Sequence, residues 1–137
     1  LGFAVKDIID NMPGAFIVYR ADKENDEILL ANNELLRLTG CKNMDELLAY
    51  TGKSFRNLIH QDEQESCQKS IWSQIDGGNV NDYIFFHMRK ADGTYISVLD
   101  HGRILDSARN GRVFYVMIMD LNALQRHYGD CLELVEI

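Results

Sequence analysis

The residues most suggestive of chemistry lie at Ser97, Asp100 and His101. A hydroxyl, an imidazole and a carboxylate make a hydrolytic relay only when the base meets both the nucleophile and the orienting acid. Within one β-strand, Ser97 and His101 share a face and Asp100 points the other way, so this spacing separates the base from its acid. His60 stands at the start of a helical pattern, where a ring nitrogen serves better as a cap than as a metal ligand. Cys41, Cys67 and Cys131 are far apart, odd in number and form no Cys-x-x-Cys pair. That dispersal argues against a disulfide framework or a structural zinc site, and for a reducing, cytoplasmic compartment. No catalytic residue and no metal ligand is assigned.

The elements that would position these groups fit one domain. The chain has 137 residues, 46% hydrophobic and 26% charged, and a formal net charge of −7. That length can bury a core of its own. The acidic balance disfavours a nucleic-acid surface, which needs clustered Lys and Arg to neutralise phosphates. No apolar run approaches the roughly 20 residues needed to cross a bilayer, so no membrane insertion is expected. The chain starts at Leu1, without a signal-peptide pattern, and reads as a module of a larger protein.

Val5, Ile8, Ile9 and Met12 recur at helical spacing, and Pro13-Gly14 ends that segment. Residues 1–13 are thus expected to be an amphipathic flanking helix. Ala15–Arg20 and Glu27–Ala31 read as strands joined by a polar turn. Asn32 or Asn33 can cap a helix that stops at Gly40, and Asn43 with Glu46 predicts a capping box for a second helix. Ser54 to Ile59 forms a third, short segment. Asp62 with Glu65 predicts another capping box at the start of the longest helix, which Asp76-Gly77-Gly78 stops. Cys67, Ile71 and Ile75 line one face of it, Cys67 as a small buried hydrophobe. Tyr83–Lys90, Tyr95–Leu105 and Arg112–Leu121 read as strands joined at Asp92-Gly93 and Asn110-Gly111. Val113–Met119 is apolar without a break, which predicts cover on both faces, from the N-terminal helix or a second subunit.

Several motifs then carry a family resemblance. Leu38-Thr39-Gly40 with Asn43-Met44-Asp45-Glu46-Leu47-Leu48 resembles the LTGYSREEL segment of PAS domains. Ile59-His60-Gln61-Asp62-Glu63 resembles their HPDD motif, with Gln61 in place of proline. Arg89-Lys90-Ala91-Asp92-Gly93-Thr94 resembles the RRKDG hairpin, and Asp120-Leu121-Asn122 the Asp-Ile-Thr junction before an output linker. Ser97 departs from the Trp that many relatives carry. The resemblance runs from about Ile9 to Asn122. It implies an α+β PAS fold over residues 14–122: a five-stranded antiparallel sheet with helices on one face and a flanking N-terminal helix.

The function this resemblance implies is a sensory and dimerisation domain, itself not an enzyme, that regulates an attached output. In bacterial signal transduction such outputs are most often histidine kinases or diguanylate cyclases of the GGDEF type. Neither signature is present, so the output is expected beyond Ile137, with the cyclase favoured by family association. No cofactor is predicted. Flavin photochemistry would need a Cys in the Gly52–Leu58 stretch, and familiar haem-binding relatives use a His on the long helix; neither residue is there. A small-molecule pocket of unknown specificity would be lined by Ile17, Tyr19, Leu30, Leu36, Ile71, Ile75, Ile84, Phe86 and Met88, unless these simply fill the core. Tyr19 has the polar tip to watch, since a buried hydroxyl needs a partner.

Asp120, Leu121 and Asn122 form the candidate signalling junction. Asn122 with Gln125 can cap a departing helix, and Leu121, Leu124, Tyr128, Cys131 and Val135 have heptad spacing. Residues 123–137 would be a helical linker that joins two copies, although Cys131 to Ile137 could instead start a strand. A ligand-free interaction module is the competing expectation, and a small enzyme of cone-like fold a third.

Overall fold

The computed structural model describes residues 2–129, so the expectations for Cys131 and Val135 lie outside it. Five strands form one antiparallel sheet: β1 (Ala15–Arg20), β2 (Ile28–Ala31), β3 (Asn81–Arg89), β4 (Tyr95–Ser107) and β5 (Gly111–Asp120). Their spatial order is β2-β1-β5-β4-β3, which places the last strand in the centre. Helices α2 (Asn33–Thr39), α3 (Met44–Thr51) and α4 (Gln64–Asp76) fill the excursion between β2 and β3, with 3₁₀ turns at Phe55–Leu58 and Gln61–Glu63. They cover one face of the sheet.

The inner face follows from strict alternation along β3. Asp82, Ile84, Phe86 and Met88 are buried while Tyr83, Phe85 and His87 are exposed. Ile17, Tyr19, Val98, Phe114, Val116 and Ile118 join them in one core with Ile71 and Cys67 of α4. Each large apolar side chain buried there contributes roughly 1.5–3 kcal/mol. Gly93 and Gly111 adopt positive φ, as the Asp92-Gly93 and Asn110-Gly111 turns require.

Asn32 ties the N-terminal region to this core. Its Oδ1 accepts from Phe16 N (2.9 Å) and Leu35 N (3.0 Å), and its amide donates to Ile9 O (3.0 Å) and Gly14 O (2.9 Å). One buried side chain therefore caps α2, closes a β1 ladder position and anchors the end of α1 (Val5–Asp10).

Several local expectations need correction. Helix α1 is shorter than residues 1–13, and Phe3, Val5 and Ile8 stay exposed, so it does not cover the sheet. On the outer face Tyr115 is exposed and Met117 and Met119 are half-buried, so within one chain α1 does not supply the cover expected over β5. The capping box at Asp62 and Glu65 does not form. His60 Nδ1 accepts from Asp62 N (3.1 Å) at a 3₁₀ turn, and α4 starts two residues late, at Gln64. At α3, Asn43 Oδ1 accepts from Glu46 N as expected, but Glu46 reaches past Asn43 to Lys42 N (2.7 Å).

Candidate functional site

Most of the predicted lining residues do converge. Ile17, Tyr19, Leu36, Ile71, Ile84, Phe86 and Met88 belong to the core between α4 and the sheet, where they pack on one another. Ile75 is partly buried at its margin and borders a surface groove with Ile104 and Arg112. Leu30 is misplaced. It pairs with Val18, which in turn faces exposed Tyr115, so it lies on the outer side of the sheet. A register shift between Val18 and Tyr19 inserts Leu29 as an extra residue and reverses the parity beyond Ile28.

Tyr19 points inward. Its ring stacks on Phe55, with centroids 4.0 Å apart and planes within 8°, and tilts against Phe114 at 5.2 Å. Burial raises its phenol well above the ordinary value, and the charges of Asp100, Asp82 and Asp26 add to that. The hydroxyl therefore stays protonated in a distinctly acidic surrounding.

That surrounding contains Asp100, which strand alternation turns away from Ser97 and His101, and Asp82, to which no role is assigned from the sequence. Asp82 on β3 and Asp100 on β4 both face the core, each 1% exposed. Asp100 is backed by its strand partners Ile84 and Ile118, and Asp82 sits over Gly102. Neither Asp100 oxygen has a hydrogen-bond partner, and nor does Asp82 Oδ1; across from the sheet, Gln68 Nε2 on α4 is unpartnered too. Burial pushes the Asp82 carboxyl up to about 6. Asp100 rises well above the carboxylate range, through burial first and the neighbouring Asp82 charge second. Cys67 above them is raised to about 11 by burial, then by Glu63 and Asp100. Its thiol stays neutral and supplies no counter-charge.

Asp26 provides the internal comparison. It is also buried, yet Ser54 Oγ donates to one of its oxygens, and Arg56 N (2.9 Å) and Arg56 Nε (3.1 Å) donate to the other. That acid is fully used in fastening the loop before Phe55. A buried carboxylate without such partners costs several kcal/mol unless it is protonated or paired. Among the described residues no group of three or more His, Cys, Asp and Glu is assembled that could hold a metal.

Helix α4 is fastened over these acids at two points on the edge strand β3. Glu63 accepts from His87 N (2.8 Å) and lies 2.8 Å from His87 Nδ1. One α4 side chain, Gln74, accepts from Tyr83 N (2.9 Å) and donates to Tyr83 O (3.0 Å). Both take up backbone groups that an edge strand leaves unpaired. The motion of α4 relative to the sheet is thereby limited at either end.

The junction is built at the far end of β5. Asp120, not Asn122, caps α5 (Leu121–Tyr128): its Oδ1 accepts from Asn122 N (2.9 Å) and Ala123 N (3.2 Å). Leu121 is buried against the sheet, while Tyr128 is exposed. Ser97 and His101 lie on the opposite face from Asp100, as alternation requires, and His101 stacks on Tyr83 with centroids 4.4 Å apart.

A central strand order of β2-β1-β5-β4-β3, an interhelical excursion after β2 and an interior under α4 define a sensory-module architecture. The chain belongs to the PAS fold family, whose profile matches residues 28–119. No curated protein sequence matches it. Among solved structures, the PAS domain of an HTR-like protein from Haloarcula marismortui is similar at 20% identity. That match covers 85% of this chain and 88% of that one, with a TM-score of 0.65. A PAS domain from a two-component sensor histidine kinase matches at 17% identity, 84% and 91% coverage and a TM-score of 0.64. A Rhodobacter sphaeroides LOV protein matches at 18% identity, 85% and 64% coverage and a TM-score of 0.64. Identities this low speak for the fold. Among the described residues no helix is long and apolar enough to cross a membrane.

Proposed function

We propose that this PAS domain is a cytoplasmic sensor that, as a homodimer, regulates an attached signalling output, a histidine kinase or a diguanylate cyclase. The observation that carries this reading is the junction: α5 leaves the central strand directly, capped by Asp120 and held by buried Leu121. A change beneath α4 that alters sheet twist reaches α5 without crossing a loop. The similarity to a histidine kinase PAS domain supports the kinase alternative. The outer sheet face, with Tyr83, Phe85 and Tyr115 exposed, supports self-association. A LOV protein among the neighbours makes a flavin compatible with the fold. Gly52 to Leu58 contains no cysteine, so no cysteinyl adduct is part of this proposal.

The test fuses the chain to a kinase output and compares Asp120→Ala with the parent. Loss of the cap destabilises the first turn of α5 by about 1 kcal/mol. The expected result is altered basal activity with the PAS core still folded by circular dichroism. An output indifferent to the substitution would count against regulation through this junction.

A ligand-free interaction module is the second reading, favoured by the mutual packing of the predicted lining residues. Native mass spectrometry of the purified chain separates the two: a retained small molecule supports the sensor, and a dimer mass with none supports the interaction module.

A further inference from the structure

Three carboxylate oxygens stand without partners under α4: both of Asp100 and Oδ1 of Asp82. No Lys or Arg side chain bonds to either acid among the described residues, whereas buried Asp26 takes Arg56. The backbone of this region is regular antiparallel ladder, with Asp100 opposite both Ile84 and Ile118. The strands' amides pair along the ladder, and only Asp82's own backbone N–H reaches one of the acids; nothing of the kind reaches Asp100. Gly102 leaves the space above its Cα to Asp82, so the sequence makes room for this carboxylate rather than tolerating it at a margin.

A group that satisfies all three oxygens with the acids ionised must be a donor on several sides, positively charged and small. The site assembles fewer than the three protein ligands that a metal group needs. A primary ammonium offers three N–H donors and one positive charge, one donor for each orphaned oxygen. A hydroxyl offers one donor and no charge, and a quaternary ammonium offers charge and no donor. None of the grooves that the α4 residues Gln68, Trp72, Gln74 and Ile75 help to line includes either acid, so the amine has to enter where α4 parts from β3. That path lies between the Glu63–His87 and Gln74–Tyr83 fastenings. Occupancy would hold α4 and the sheet in a fixed relation, which is how differential binding to two arrangements shifts their populations.

We infer that the buried Asp82–Asp100 pair is a binding site for a small primary amine. The inference rests on the sensory reading above, whose ligand chemistry it names.

The experiment titrates the chain, in phosphate buffer free of other amines, with methylammonium chloride. Methanol and sodium chloride at equal concentration are the controls, and the readout is the ¹³C signals of the Asp82 and Asp100 carboxyl carbons. Methylammonium is expected to move both carbons toward their ionised positions, saturating with a dissociation constant on the order of 10 mM, the scale set by two non-hydrogen atoms. Methanol and sodium chloride should leave them in place. Asp100→Asn should weaken binding at least tenfold, and Asp82→Asn provides the same test if the first variant does not fold. The exposed control Asp92→Asn should leave binding unchanged. Carboxyl signals that respond no more to methylammonium than to sodium would mean that protons or water satisfy the pair, and would overturn the proposal. So would an affinity indifferent to both interior substitutions. The measurement uses the chain with no output attached, so its failure leaves the Asp120 experiment standing, and the reverse also holds.

Discussion

Asp82 lies directly over Gly102, its partner across the β3–β4 ladder: a Cβ at position 102 would stand 2.3 Å from Asp82 Oδ1. No carboxylate can share that space with a methyl group. Gly102→Ala should therefore displace the Asp82 side chain and cost about 1–3 kcal/mol. The double variant Gly102→Ala with Asp82→Ala should recover most of the loss. Urea midpoints of the two single variants and the double variant measure that coupling.

The same pair fixes the sign of a pH dependence. Asp82 is raised to about 6 and Asp100 well above the usual range, so the folded chain holds protons that the unfolded chain gives up near pH 4. The associated stability is fully present below pH 4 and is lost as pH rises through 6 and beyond, at up to about 1.4 kcal/mol per pH unit for each proton. Glu63, lowered by its hydrogen bonds to His87 against its burial, acts in the opposite sense below its own unfolded value near 4.5. Between pH 5 and 8, denaturation in amine-free buffer should therefore show stability falling with pH. Asp100→Asn should flatten that slope, and an unchanged slope would mean that the acids titrate normally.

Asn32 makes four hydrogen bonds from a position with no solvent exposure. Asn32→Ala removes the α2 cap and strands part-buried backbone groups of Phe16 and Gly14, at an expected cost of about 3 kcal/mol. Asn32→Asp keeps the two acceptor bonds and loses the donors to Ile9 and Gly14. It should fall between the parent and the alanine variant in thermal denaturation.

Outside the sheet, Phe16 and Tyr115 meet edge to face at 5.5 Å, with Tyr83 and Phe85 exposed on the same side. If this face joins two copies, Tyr115→Glu should convert the dimer to monomer in analytical ultracentrifugation while the circular dichroism spectrum stays unchanged. A dimer that survives the substitution would place the contact elsewhere.

Much of this was legible in the residue order. Strand β1 lies where its composition places it, because Pro13-Gly14 and the polar turn after Arg20 bound it on both sides. The Asp92-Gly93 and Asn110-Gly111 turns fix the β3–β4–β5 meander in the same way. Leu30 takes the outer face, against its expected place in the core, because a single inserted residue reverses the side a strand residue faces, and no local composition announces the bulge. The buried acids did leave a signal. Asp82 shares its period-two face with Ile84, Phe86 and Met88, and Asp100 lies two residues from Val98. The cap of α5 moved from Asn122 to Asp120 because the strand runs straight into the helix, a continuity set by the sheet rather than by capping preference.

Strand β5 is held along both edges, by β1 through residues 113–118 and by β4 through residues 111–120. To slide lengthwise it would have to break both ladders at once, and a shift of one residue would turn Phe114, Val116 and Ile118 out of the core. It cannot work as a piston. What remains open to it is torsion, so any message passed to α5 leaves as a change of angle and arrives larger the farther along the helix it is read.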